Sequence, residues 1–423
     1  MKIAIYPSEI KGFISTPSSK SQSLRALFFA AFAKSQSIIH RLLDCDDTDA
    51  MIDSLVKLGA KIEIKGNKTY VTPLKKEFSS DIIHLNVRNS GITFRFLASI
   101  ALILEKTIIL DGEDSIKKQR PINELLIALN QIGGSYELLE KNQNAPVKLQ
   151  GSVKSHKVTI TSKDSQPITS LLYLATLAAT NFEIFFYGCE EKPWLDLSFS
   201  WLKYLNIPCE KKENQFVVKS NNGYEGFEYF VPGDFSALAF FVVLSCIHQQ
   251  QLEIEHFTIL DPQPDRVILS LFCDLGGSYT HDEKTNILKL TPPKTLQGFA
   301  FDLEQGIDLL PILSVLGCFC RTETKLYNGK IARFKESDRI FAISNELKKM
   351  GGLILENEDG VSIFPSNLKG CQVWSHKDHR IAMSLAIAAT KSIGFTTIDG
   401  AECTKKTFPE FFNCLKKLNA NIT

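Results

Sequence analysis

Strongly apolar stretches of helical length recur along the chain at intervals of roughly 70 residues. They cover residues 21–35, 91–103, 166–180, 234–248, 306–320 and 378–390. Each opens on small or polar residues and is then apolar nearly all round, which predicts a buried, inner helix. An amphipathic stretch follows each one and runs into a short strand: residues 51–64, 122–139, 197–211, 267–279, 339–355 and 408–422. Apolar positions at i, i+3, i+4 and i+7 predict half-exposed, outer helices there. Gly59, Gly133, Gly276 and Gly351 stand near the ends of four of these stretches, where a left-handed residue stops a helix. β-Branched and aromatic runs fill the gaps, as at residues 107–110, 158–161, 183–187, 215–219 and 252–255, and read as strands. Each repeat therefore predicts strand, inner helix, strand, outer helix, strand, strand. The expected class is α+β, with six βαβαββ repeats in two groups of three that divide near Val231-Pro232-Gly233.

Length agrees with that division, since 423 residues exceed one ordinary core and suit two domains. With 44% apolar and 22% charged residues the chain is globular in composition. Lys plus Arg number 48 against 47 for Asp plus Glu, a balance that argues against a dedicated nucleic-acid or anionic-membrane binder. The longest apolar runs, residues 100–104 and 239–247, fall short of the ~20 residues that span a bilayer. The first residues lack the pattern of a secretion signal, so a cytoplasmic protein is expected. Ten cysteines are scattered with no CxxC or Cys/His ligand spacing. They read as reduced, mostly buried thiols, with no metal site.

The chemistry is concentrated where the inner helices begin. Buried helices aim unpaired N–H groups and a partial positive charge from their N-termini, and tips sharing one cleft attract anions, phosphate above all. The first tip carries Lys20, Ser21 and Arg25; the second Arg88, Asn89, Ser90, Gly91 and Arg95; the third Lys163, Asp164, Ser165 and Gln166. The fifth contains Asp302 and Asp308, and the sixth Lys377, Asp378, His379 and Arg380. Helix capping explains any one of these. It does not explain repeated Lys and Arg, which oppose the helix dipole unless an anion binds nearby. The outer helices add Lys117-Lys118-Gln119-Arg120 before the second, Lys335-Glu336-Ser337-Asp338-Arg339 before the fifth and Thr404-Lys405-Lys406-Thr407 before the sixth.

Taken together, these strings resemble the enolpyruvyl transferase family in its EPSP synthase branch. The matching residues are Ser18 to Arg25, the Arg88-Asn89-Ser90-Gly91 string with Arg95, Gln119-Arg120-Pro121, Ser165-Gln166 and Lys192-Pro193-Trp194-Leu195-Asp196. They continue through Pro232-Gly233-Asp234, Asp302 with Asp308, Lys335 to Arg339, Asp378-His379-Arg380-Ile381-Ala382-Met383 and Cys403 to Pro409. The order is kept over essentially the whole chain. The resemblance implies two domains, 15–232 and 1–14 with 233–423, closing over an interdomain active-site cleft. It implies transfer of the enolpyruvyl group of phosphoenolpyruvate to the 5-hydroxyl of shikimate 3-phosphate, with release of phosphate. Under it, Lys20, Arg120 and Lys406 with the Gly91 backbone hold the phosphate of phosphoenolpyruvate, Gln166 joins them, and Arg339 and Arg380 hold its carboxylate. Ser21 and Arg25 take the shikimate carboxylate, while Ser165, Gln166 and Lys335 meet its phosphate or hydroxyls. Asp308 removes the hydroxyl proton, Glu336 protonates the methylene carbon, and Lys20 assists. No cofactor and no metal are implied. The partners are two small molecules, and a monomer is expected.

The acceptor half departs from the family pattern. Asp164 and Glu191 stand where hydroxyls normally face the shikimate phosphate, and a carboxylate beside a phosphate is repulsive. Trp194, Ile92 and Phe94 are also less typical. Two alternatives stay open: an enolpyruvyl transferase for another acceptor, such as UDP-N-acetylglucosamine, and a non-catalytic anion-binding relative. The UDP-N-acetylglucosamine enzymes usually place a reactive Cys ahead of the Arg-Pro pair, and residues 112–120 contain none.

Overall fold

Every repeat folds into its own small sheet with an apolar helix as the crossover. The computed structural model describes residues 1–75 and 80–423. Strand Ile82–Asn86 runs parallel to Thr107–Asp111, and the apolar stretch between them forms helices Gly91–Ala98 and Ile100–Leu104, as a parallel pair requires. Thr107–Asp111 then pairs antiparallel with Val147–Gly151, and that strand with Gly134–Leu138. Alternate residues Ile83, Leu85, Ile108 and Leu110 are buried, so one face of the sheet meets the helix and the other does not. The same order holds for Lys157–Thr161, Phe182–Tyr187, Gln215–Val218 and Cys209–Lys212. It holds again for Ala300–Asp302, Thr324–Tyr327, Val361–Phe364 and Leu353–Glu356.

Three sheets borrow a strand from elsewhere in the chain. The parallel partner of Ser37–His40 is Glu228–Phe230, and that of Leu252–Glu255 is Phe13–Ser15. Lys2–Ile5 lies antiparallel to Thr396–Asp399, itself parallel to Gln372–Trp374. The chain thus forms two units, Met1–Pro17 with Pro232–Thr423, and Ser18–Val231. A strand was expected after the last outer helix. Helix Phe411–Lys417 does form, but the residues beyond it make only a bridge from Ile422 to Ile5, because the backbone bonds of Asn421 and Thr423 go to Tyr6 and Ala4.

The inner helices are Lys20–Phe32, Gly91–Ala98 continued by Ile100–Leu104, Ser165–Leu177, Phe235–His248, Leu310–Cys318 and His379–Ala389. Residues 91–103 were expected as one helix; it is interrupted at Ser99, whose hydroxyl donates to the carbonyls of Phe96 and Ser170 at 3.2 Å each, a local competitor for the backbone ladder. The fifth begins late, after single turns Leu303–Gln305 and Ile307–Leu309. In Ser18–Val231 three inner helices meet around Tyr173, whose ring lies 4.6 Å from Phe29, 5.2 Å from Phe28 and 4.9 Å from Phe96. Each such pair adds about 0.5–1.5 kcal/mol beyond burial. All fourteen residues of Phe235–His248 are buried in the core of the other unit, as its unbroken apolar surface predicts.

The ten cysteines are free thiols. Burial pushes Cys318 up to about 12 and Cys45 up to about 11, which removes the reactive thiolate at neutral pH. Cys273 is exposed. Brief alkylation of the native protein followed by peptide mapping is expected to label Cys273 ahead of Cys45 and Cys318. Equal labelling of all three would contradict that burial.

Candidate active site

Capping and chemistry are divided between acids and bases at the helix tips. Ser19, Ser90, Asp164, Asp234 and Asp378 each accept a backbone N–H at the start of an inner helix, and Asp302 caps the turn Leu303–Gln305. Two of these caps also bind cations, Asp164 with Arg95 at 3.3 Å and Asp378 with Arg339 at 2.8 Å.

In Ser18–Val231, Arg95 ties three tips together. It is 1% exposed. Its Nη1 donates to Gln166 Oε1 at 3.1 Å and to the Gly91 carbonyl at 3.4 Å. Its Nη2 donates to the Pro121 carbonyl at 2.9 Å and lies 3.3 Å from Asp164 Oδ2. Burial lowers the affinity of Arg95 for its proton and Asp164 opposes that. One guanidinium thus sets Gly91 and Gln166, both candidates for phosphoenolpyruvate, and Pro121, the residue next to the candidate Arg120. A Cβ on Gly91 would stand 3.0 Å from Arg95 Nη1 and 3.5 Å from Arg120 Cζ, so the missing side chain leaves room for both. Arg120 is 4% exposed. Lys20 opens the first inner helix with Nζ 3.1 Å from Asp47 Oδ2. Arg25 is buried and donates to Ser198 Oγ at 2.9 Å and to the Ser21 carbonyl at 3.0 Å. Ser165 gives its amide and its hydroxyl to Glu191 Oε2, both at 3.2 Å.

Other cations at these tips face outward. Arg88 pairs with Asp53 and Asp49 at 2.6 and 3.3 Å, Lys118 with Asp114 at 3.2 Å, and Lys163 with Glu190 at 2.5 Å. These are surface pairs of small energetic weight.

In the unit of Met1–Pro17 and Pro232–Thr423, Arg339 is the hub. It begins an outer helix, Arg339–Lys349, and is 1% exposed. Its Nη1 binds Asp308 Oδ1 at 2.6 Å, its Nη2 Glu336 Oε2 at 2.7 Å and its Nε Asp378 Oδ2 at 2.8 Å. Arg380 Nη2 reaches Asp308 Oδ2 at 2.9 Å, and Lys406 Nζ reaches Glu336 Oε1 at 3.1 Å. Burial would raise the Asp308 carboxyl, but Arg380, Arg339 and Lys335 outweigh it and hold it well below the usual range. Asp308, Lys335, Glu336, Arg339, Arg380 and Lys406 are thus brought together in one unit. Lys20, Ser21, Arg25, Gly91, Arg120, Ser165 and Gln166 lie at the inner-helix tips of the other.

Sequence reasoning missed three contributors. Arg95 and Asp378 stood inside quoted motifs, and a buried cation in an apolar helix was the signal for the first. Asp265 gave none. It is 0% exposed; its Oδ2 accepts from the Ser236 hydroxyl and its Oδ1 has no hydrogen-bond partner among the described residues. Burial, then the charge of Asp308, push it up to about 7, with Arg380 opposing. A raised carboxyl binds more protons folded than unfolded, so its contribution is full in acid and is lost as pH rises from the ordinary aspartate value through about 7. Asp265→Asn is expected to remove that loss. Its urea midpoint should gain on the natural protein between pH 5 and pH 8, and a constant difference would show that Asp265 does not titrate there.

The comparisons place this arrangement among known proteins. The family model described as EPSP synthase (3-phosphoshikimate 1-carboxyvinyltransferase) matches residues 6–415. A 3-phosphoshikimate 1-carboxyvinyltransferase of Chlamydia abortus is 37% identical over 420 residues, covering 99% of this chain and 94% of that protein. One from Acetivibrio thermocellus is 36% identical, covering 100% and 99%. The fold is that of the solved EPSP synthase from Acinetobacter baumannii, at TM-score 0.84 and 22% identity over 100% and 99% of the two chains. The enolpyruvyl transferase NikO from Streptomyces tendae follows at 0.78 and 14%, over 100% and 98%. With its six helix-and-sheet repeats and its cation-rich tips, the chain belongs to the EPSP synthase (3-phosphoshikimate 1-carboxyvinyltransferase) family.

Proposed function

We infer that this protein transfers the enolpyruvyl group of phosphoenolpyruvate to the 5-hydroxyl of shikimate 3-phosphate and releases inorganic phosphate. The observation that carries the reading is the sharing of Arg339 by Asp308 and Glu336, at 2.6 and 2.7 Å, which sets two acid–base groups beside cations suited to a polyanion.

Arg380, Arg339 and Lys335 favour the charged form of Asp308, and as the new C–O bond forms this carboxylate orients the hydroxyl and receives its proton. Glu336 delivers a proton to the methylene carbon, which gives a tetrahedral intermediate. Expulsion of phosphate and return of one methyl proton to Glu336 restore the double bond. Lys406 supplies the coupling: a ligand phosphate that draws it away leaves Glu336 with less cationic support and more negative charge nearby, and both raise its proton affinity. Arg380 receives the carboxylate, where a planar fork fits a planar acid, and Arg339, already bound to three carboxylates, adds only the second hydrogens of its Nη atoms. Arg380 Nε has no hydrogen-bond partner among the described residues, so it keeps donor capacity. In Ser18–Val231, Lys20, Arg120, Gln166 and the Gly91 backbone serve phosphoenolpyruvate. Ser21, Arg25, Ser165 and Lys335 serve the acceptor.

The test is phosphate release from phosphoenolpyruvate with each acceptor separately. Turnover with shikimate 3-phosphate, and none with UDP-N-acetylglucosamine or without acceptor, is expected. The opposite preference, or no release with either, would overturn the assignment.

A further inference from the structure

The start of helix Ser165–Leu177 already holds an anion of the chain's own making. The Ser165 amide and hydroxyl, the donors an acceptor phosphate would seek, both go to Glu191 Oε2 at 3.2 Å. Glu191 arrives from a separate segment, immediately before helix Lys192–Tyr204, and is 2% exposed. Capping does not account for it, because Asp164 already caps this helix through the Gln166 amide at 2.9 Å. A second buried carboxylate adds like charge to a place that has its cap. Buried guanidinium groups stand close by. Arg95 binds Asp164 and Gln166, Arg25 binds Ser198 of the helix that Glu191 precedes, and the Nε atoms of both have no hydrogen-bond partner among the described residues. The surroundings are thus built for negative charge, and a carboxylate of the protein supplies it.

We propose that Glu191 sets acceptor affinity: it holds Ser165 in the place of the acceptor's phosphate and must leave before that phosphate can bind. The proposal rests on the reading that Ser165 contacts the acceptor. A phosphate that enters takes over two hydrogen bonds and forces a buried carboxylate aside or into its protonated form, either of which weakens binding. Phosphoenolpyruvate, assigned to Lys20, Arg120 and Gly91, does not meet this competition.

The experiment is calorimetric titration of the full chain and of Glu191→Ser and Glu191→Gln, first with inorganic phosphate and then with shikimate 3-phosphate. Steady-state KM is measured for both substrates, and thermal melts confirm that each variant is folded. Glu191→Ser is expected to bind both probes at least about tenfold more tightly, the order expected from removing one nearby like charge. Glu191→Gln should gain less, since its amide oxygen still accepts from Ser165. KM for phosphoenolpyruvate should stay within about twofold, which a general loosening of the fold would not produce. Unchanged or weaker phosphate binding by a folded Glu191→Ser variant would overturn the proposal, whatever the turnover. Tighter phosphate binding without any turnover of shikimate 3-phosphate would uphold the latch and reject the acceptor assignment instead.

Discussion

Glu336→Gln is expected to leave both substrates bound and to lower kcat by at least about 100-fold, as loss of a general acid–base group does. The substitution keeps the length of the side chain, and its amide oxygen still accepts from Arg339 Nη2 or Lys406 Nζ, which lie 2.7 and 3.1 Å from the natural carboxylate. What it removes is the ability to give a proton to carbon and take one back. It also withdraws a negative charge from between two cations, so KM for phosphoenolpyruvate should hold steady or fall while kcat collapses. A rise in KM with normal kcat would assign Glu336 to binding, and near-normal turnover would take it out of the reaction. Stopped-flow and steady-state phosphate release separate these outcomes.

The second large effect is on stability. Arg339→Met is expected to lose about 3–5 kcal/mol, the usual result of removing the cation from a buried charge cluster. Three carboxylates, Asp308, Glu336 and Asp378, lie within 2.6–2.8 Å of the guanidinium, and methionine fills the volume without serving any of them. The pH dependence follows from Asp308. Its carboxyl is held below its ordinary value in the folded protein, so the stability it contributes is present above the ordinary aspartate value and fades as pH falls toward the depressed one. The difference between natural and substituted protein should therefore be large at pH 7.5 and smaller at pH 2.5, below the ordinary aspartate value. Urea midpoints at the two values test this, and a difference that grows in acid would contradict the charge-cluster account. Arg339→Lys is expected to recover part of the stability and little of the activity, because a single ammonium cannot reach three carboxylates in fork geometry.

How far this arrangement could be read from the chain depends on the range of each interaction. The inner helices announced themselves because burial on every side leaves an unbroken apolar run, as in Phe235–His248. The caps were equally local, since Ser19, Asp164 or Asp378 needs only its own next two or three residues. Borrowed strands were harder. Glu228–Phe230 and Phe13–Ser15 are three residues each, too short for a period of two to stand out, and their partners lie far away along the chain. The side-chain partners were beyond reach altogether. Nothing near Arg95 in sequence says that it will find Gln166, 71 positions on, nor does anything near Ser165 point to Glu191. Asp265 is the extreme case, an acid in an ordinary-looking helix start whose burial against Ser236 and the charge of Asp308 exists only in three dimensions. The family resemblance named Asp308, Glu336, Arg339, Arg380 and Lys406 together, and the structure links these side chains by ion pairs. The resemblance could not foresee that Arg339 is occupied by three carboxylates of its own.

The transfer itself is tested most directly by carbon-13 NMR of phosphoenolpyruvate labelled at carbon 2, incubated with shikimate 3-phosphate and the protein. The label is expected to move into an enol ether on the 5-oxygen of the acceptor, in step with the phosphate released. Label that stays in phosphoenolpyruvate, or that emerges only as pyruvate, would contradict the account.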